Sequence, residues 1–188
     1  MNLDELLAMT PGGSPREDDG DAALLERNLA ALAKRSPREA ELIRRCAACA
    51  EIEFVQTEEG LSATMGGVAL ASKRRPVSEG EKLARSVDHE EIALVGVEGF
   101  GLGHHCAALL THLGELGVVV CYEPDTALLR RVLSRIDYTA LFNTGRFYLV
   151  CDPDDAVRCN EVMAGNEALV GLGVKLLSHP PSKQRLSE

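Results

Sequence analysis

The sequence contains no apolar run approaching the roughly 20 residues that span a bilayer, so it predicts no membrane segment. Its first residues, "MNLDELLAMTPGG", lack a basic start and an apolar core, so no secretory signal is expected and a cytoplasmic location follows. Cations are scarce. Lys and Arg total 20 against 29 Asp and Glu, for a formal net charge of −9. That balance repels phosphate backbones and acidic lipid surfaces, which argues against nucleic acid or membrane as a partner. Also missing are a Gly-x-Ser-x-Gly elbow, a P-loop lysine and a His-Glu-x-x-His helix, so no nucleophile is announced.

Metal chemistry has little to work with. Six cysteines are present, and Cys46 and Cys49 form a C-x-x-C, but no second such pair lies at zinc-finger spacing. "ELIRRCAACAEIEF" is an alanine-rich helical pattern, which would place Cys46 and Cys49 on one helix face rather than in a chelating knuckle. Cys106, Cys121, Cys151 and Cys159 fall in or beside apolar segments, where cysteine packs as a small hydrophobe. No metal site is expected.

What is present suits a globular domain. Of the 188 residues, 45% are hydrophobic and 26% charged, enough for one domain with a full core. Residues 1–20, including "TPGGSPREDDGD", are rich in Pro, Gly and charge and read as a flexible segment. Residues 21–90 read as a helical pair and a small β-meander. Leu24, Leu25, Leu29 and Leu32 keep helical spacing, and Pro37 opens a second helix, "PREAELIRRCAACAEI". "EFVQTEEGLSATMGGVALAS" gives two or three short strands with turns at Glu59-Gly60 and Gly66-Gly67, and "PVSEGEKLARSV" a short helix.

Residues 91–188 read as a Rossmann-like α/β unit, a partly parallel sheet with helices on both faces. "IALVGV" is continuously apolar, as a parallel strand covered on both faces should be. A helix follows with Cys106, Leu109, Leu110 and Leu113 on one stripe. Then come the strand "GVVVCYE", a helix capped by Asp125, the strand "RFYLVCD", a helix over "PDDAVRCNEVM" and a fourth strand in "GVKLLSHP". The whole of 21–188 is expected to form one compact domain.

The first strand ends in "GFGLGHH", with Gly99, Gly101 and Gly103 where a tight turn meets a helix start. Missing side chains there let a ligand lie against the backbone, and the helix aims free N–H groups at an anion. Glu123, twenty positions after Gly103, ends the next strand and is placed to accept hydrogen bonds from ribose hydroxyls. Asp152, ending the third strand, would line the same crevice. The strict G-x-G-x-x-G form fails: counted from Gly99 its last position is His104, and from Gly101 it is Cys106. NAD and FAD are therefore disfavoured. S-adenosylmethionine fits the glycine turn and strand-two acid better, although Val97 stands where such sites carry a further acid. His104 and His105 open the helix, where the dipole favours neutral rings that donate to an anion or to backbone. The bland alternative is a turn whose glycines serve geometry alone.

Four segments in order, "ERNLAALAKRSP", "GVALASKRRPVSEGEKLA", "VGVEGFGLGHH" and "CYEPD", resemble the N-terminal domain of motility-accessory-factor (Maf) glycosyltransferases. The resemblance falls on Asn28 to Leu32, on Ser72, Pro76 and Glu81, on Gly99 to His105, and on Glu123 to Asp125. It implies a Rossmann-like accessory domain of enzymes that attach nonulosonic acids to flagellin serines and threonines. A nucleotide sugar such as a CMP-sugar is then a candidate ligand, and a catalytic domain or flagellin a candidate partner. His104 replaces the family's usual tyrosine. The Gly-Pro-Ser-Leu-type loop that holds the sugar nucleotide in the family's central domain is absent, so transfer activity is not carried over to this chain. A class I methyltransferase using S-adenosylmethionine and a scaffold with a vestigial crevice are the alternatives. For the methyltransferase, too few strands follow Glu91 and no Asn-Pro-Pro-type loop is present.

Overall fold

The computed structural model describes residues 22–47, 50–152 and 154–186. The segment 1–20 and Cys49 lie outside them. Helices α1 (Ala22–Leu32) and α2 (Pro37–Arg45) form a hairpin whose inward residues Leu25, Leu29, Leu32, Ala40 and Ile43 are buried at the expected helical spacing. Pro37 opens α2, where its missing N–H costs nothing. The expected α2 ran on through the cysteines. Instead the chain turns extended at Cys46, and Ile52 joins a sheet opposite Met65. Cys46 therefore lies past the helix end rather than on a helix face.

Strands β1 (Ile52–Thr57), β2 (Gly60–Met65) and β3 (Val68–Ala69) form the antiparallel meander, turning where Gly60 and Gly66-Gly67 fall. Helix α3 (Pro76–Ala84) follows. Within it, Glu79 accepts a hydrogen bond from the Ser72 amide of the preceding segment at 2.6 Å, whereas Glu81 pairs with exposed Arg85. The acid that holds this segment together is Glu79, not the Glu81 named above.

The remainder is the βα alternation. Strands β4 (Leu94–Glu98), β5 (Val118–Tyr122), β6 (Phe147–Val150) and β7 (Val174–Ser178) make one parallel sheet in the order β6-β5-β4-β7. Between them run α4 (His104–His112), α5 (Thr126–Leu133), α6 (Thr139–Asn143), α7 (Ala156–Met163) and α8 (Glu167–Leu172), and α9 (Pro180–Leu186) follows β7. One sheet face carries Val95, Val97, Val119, Cys121, Phe147 and Leu149 into the main core with Leu29, Leu109, Leu129 and Val132. The other face carries Val118, Tyr148 and Val150 against Val162 of α7, a smaller cluster. This is a Rossmann-like α/β fold with a separate antiparallel sheet. Among the described residues no helix is long and apolar enough to cross a membrane.

Two buried polar devices lock the hairpin to the sheet. Asn28 is fully buried, and its amide donates to the carbonyls of Leu133 and Ile136, each at 2.8 Å. Its Oδ1 accepts from the Tyr138 amide, also at 2.8 Å. Three backbone groups of the α5–α6 corner are thus satisfied by one side chain. Ser36 and Arg158 do the same for β6: Leu149 donates to Ser36 Oγ at 3.0 Å, and its carbonyl accepts from Arg158 at 3.0 Å. Arg158 also donates to Ser36 Oγ at 2.7 Å and to Glu39 at 2.9 Å. Burial raises the Glu39 pKa, and the Arg158 guanidinium beside it recovers only part of that shift.

Replacing Asn28 by Ala would strand two carbonyls and one amide in the interior. At about 1–3 kcal/mol for each unsatisfied buried group, with partial relaxation, the expected loss is about 3–5 kcal/mol in urea unfolding. A loss under about 1 kcal/mol would show that the corner does not depend on this amide.

Candidate functional site

The glycine turn follows β4 as expected. Gly99 (φ 95°) and Gly101 (φ 49°) have left-handed backbone, which L-residues with side chains adopt at a cost. Between them Phe100 is driven into the core, edge-on to Tyr138 and Phe147. Leu102 is equally buried, and its carbonyl accepts from the Tyr138 hydroxyl. Gly103 precedes α4, whose first turn carries His104, His105 and Cys106.

The space over the turn is filled by the chain itself. Helix α9 crosses it so closely that a side chain at Gly99 would run into Ser182, and a Cβ at Gly101 would lie 2.8 Å from the His179 ring. The His179 amide donates to the Glu98 carbonyl at 3.0 Å, and its Nδ1 shares a 2.8 Å hydrogen bond with Ser182 Oγ. The His179 ring stacks on His105, 4.1 Å between centroids and 11° from parallel. Both His104 and His105 donate from Nε2 to carbonyls, of Leu61 at 2.8 Å and of Gly99 at 3.0 Å. The histidines therefore bond to backbone, one of the two roles expected of them.

Glu123 is fully buried beneath this helix. It accepts from the Phe100 amide at 3.1 Å and the Asp125 amide at 3.1 Å. Arg185 Nη2 from α9 lies 2.6 and 2.7 Å from its two oxygens. Asp125 caps α5 through the Leu128 amide at 2.9 Å and reaches Arg185 at 3.3 Å. Gly99, Glu123 and Asp125 thus lie against α9, which sets Ser182 over Gly99 and Arg185 on the two carboxylates, while Gly101 faces the His179 ring and Gly103 the Phe100 and Tyr138 rings. Asp152 is not part of that group. It is exposed, accepts from the Asp154 amide, and lines a groove with Arg38, Glu41 and Asp155.

A cavity of about 310 Å³ remains open beside the turn, lined by Leu70, Pro76, Leu83, Leu102, His104 and Pro180 among others. It is largely apolar, and Glu79 and Lys82 are the charged residues on its wall. Behind the turn Cys106 and Cys121 are in contact and fully buried. Burial works against the Cys106 thiolate, while the Cys121 thiol and the His105 ring act to lower its pKa. Burial raises Cys121. With no solvent exposure, the pair packs as core, as its apolar setting predicts. Among the described residues no cluster of three or more His, Cys, Asp or Glu could hold a metal ion.

The fold and the turn define a Rossmann-like domain with its switch-point crevice occupied from within. No family model and no curated protein matches the chain. Among solved structures it is similar to a MAf glycosyltransferase from Magnetospirillum magneticum AMB-1, with 17% identity and a TM-score of 0.56. The likeness covers 89% of this chain and 34% of that one, so the chain spans about a third of its structural neighbour. At that identity the likeness is one of fold.

Helix α9 escaped the sequence reading. "HPPSKQR" has no apolar period, and the only side chain that α9 buries fully is Ser182. Paired prolines at a helix start and an arginine four residues past the second were the available signals.

Two outcomes test this joint. Arg185→Ala leaves a buried carboxylate without its cation and is expected to cost about 3–5 kcal/mol, much of it recovered in Glu123→Gln/Arg185→Ala. An exposed, unimportant pair would show neither the loss nor the recovery. His179 supplies a pH dependence. Burial, then the neighbouring His105 and Arg185, push its pKa from 6.5 down to about 2. The unfolded chain binds this proton below pH 6.5 and the folded chain does not. The stability it contributes is therefore present above pH 6.5 and falls by up to about 1.4 kcal/mol per pH unit below it. Chemical denaturation at pH 7.5 and 5.5 should show a smaller acid loss in His179→Gln than in the wild type; equal losses would contradict it.

Proposed function

We propose that this chain is the N-terminal Rossmann-like module of a Maf-type flagellin glycosyltransferase system, where it acts as an accessory, docking domain. The ordered motifs around Asn28, Ser72, the glycine turn and Glu123 support that family reading, as does the fold likeness over 89% of the chain. One observation carries the accessory role: Glu123, the acid expected to read a ribose, has its oxygens engaged by Arg185 and two backbone amides. In this reading the sugar-transfer step belongs to a separate catalytic domain, since the Gly-Pro-Ser-Leu-type loop is absent from the sequence. The same geometry weighs against the methyltransferase reading, which needs that carboxylate for an adenosyl ribose.

Deleting the gene in its host should remove glycan mass from flagellin in intact-mass spectra, and unchanged flagellin would refute the assignment. Purified protein should show no melting shift with CMP, a CMP-sugar or S-adenosylmethionine. A ligand at a hundred times its Kd adds about 2.7 kcal/mol, about 5–10 °C for a domain of this size, so binding would be plain. A shift with the CMP-sugar would make the turn a nucleotide site after all, and one with S-adenosylmethionine would favour the methyltransferase.

A further inference from the structure

The two edges of the parallel sheet are treated differently. At β6 the outward amide and carbonyl of Leu149 are taken by Ser36 and Arg158. Among the described residues, β7 has a strand neighbour only on the β4 side, and α8–β7 leaves Leu172 63%, Val174 43% and Leu176 79% exposed. Such an open apolar edge is a template for another strand. Residues 169–178 carry one charged side chain, Lys175, in a chain with a net charge of −9. Two copies can therefore meet here without the repulsion that would part them elsewhere.

We propose that two copies of this chain join through β7, paired antiparallel about a two-fold axis at Leu176. A two-fold interface must be self-complementary, and this edge is. Centred on Leu176, the pairing sets Leu176 against its own copy and Val174 opposite Ser178 of the second copy. The parallel sheet then continues across the axis, with Leu172 of each α8 beside it on one face. A five-residue ladder alone falls short of the roughly 1,200 Å² of a stable interface, so α8 must contribute, and a modest affinity is expected.

The inference does not depend on what the glycine turn binds. Sedimentation of the wild type from about 1 to 200 µM should show a concentration-dependent rise toward twice the monomer mass. Leu176→Lys should stay monomeric over the same range, with the wild-type melting temperature at about 1 µM, where the wild type is monomeric too. Leu116→Lys, at an exposed leucine outside α8 and β7, should dimerise as the wild type does. A wild type that stays monomeric throughout, or Leu176→Lys dimerising as well as the wild type, would overturn the proposal.

Discussion

A carboxylate with no exposure to water is tolerable only when its oxygens are engaged by donors and a cation, and Glu123 meets that condition. Its partners come from three elements: the Phe100 amide in the turn after β4, the Asp125 amide at the start of α5, and Arg185 on α9. The carboxylate thus holds the glycine turn, caps the second crossover and pins the helix that follows β7. Removing any one partner would leave the other two facing a poorly solvated charge. The glycines follow from the same constraint. Gly99 and Gly101 make room for Ser182 and His179, so the absent side chains accommodate a helix where a dinucleotide fold would accommodate a pyrophosphate.

The helical hairpin depends on polar contacts just as specific. Asn28 reaches carbonyls 105 and 108 residues further on, and Arg158 ties Glu39 and Ser36 to the edge of β6. These contacts place α1 and α2 against α5 and β6, covering one side of the sheet and closing its far edge. Among the described residues nothing comparable covers β7, where Gly96 of the neighbouring strand offers no side chain and the Leu176 side chain packs over it. The sheet is therefore finished at one edge and open at the other.

The layered architecture was legible because hydrophobic period and turn chemistry are local. The continuous apolar runs of β4 and β5, the Cys106–Leu113 stripe, the Asp125 cap and the glycine turns all read directly from neighbouring residues. What stayed hidden is what depends on distant partners. Asn28 looks like any polar residue in a helix until the α5–α6 corner arrives beneath it. The stretch up to Cys46 has helical composition, yet the chain turns extended there and Ile52 pairs with Met65. Glu123 and Asp125 were correctly placed at the strand tip, but their partner lies about sixty residues on, in a segment with no apolar pattern. Asp152 ends a strand of the same sheet, yet side chains at neighbouring strand tips need not converge, and this one faces Arg38 and Asp155.

Electrostatics explains why a closed crevice is the consistent state for these residues. An anionic phosphate at a glycine turn needs donors and preferably a cation. Burial keeps His104 and His179 neutral, and Arg185 is already tied to Glu123 and Asp125. To serve a phosphate, Arg185 would have to leave Glu123, baring a carboxylate beside the incoming anion. Two like charges about 4 Å apart repel by roughly 4 kcal/mol at an effective dielectric near 20, comparable with the whole binding energy of a millimolar ligand. The acid that makes such a crevice look ready for a ribose therefore makes this one hostile to the phosphate attached to it, unless a new cation arrives with the ligand.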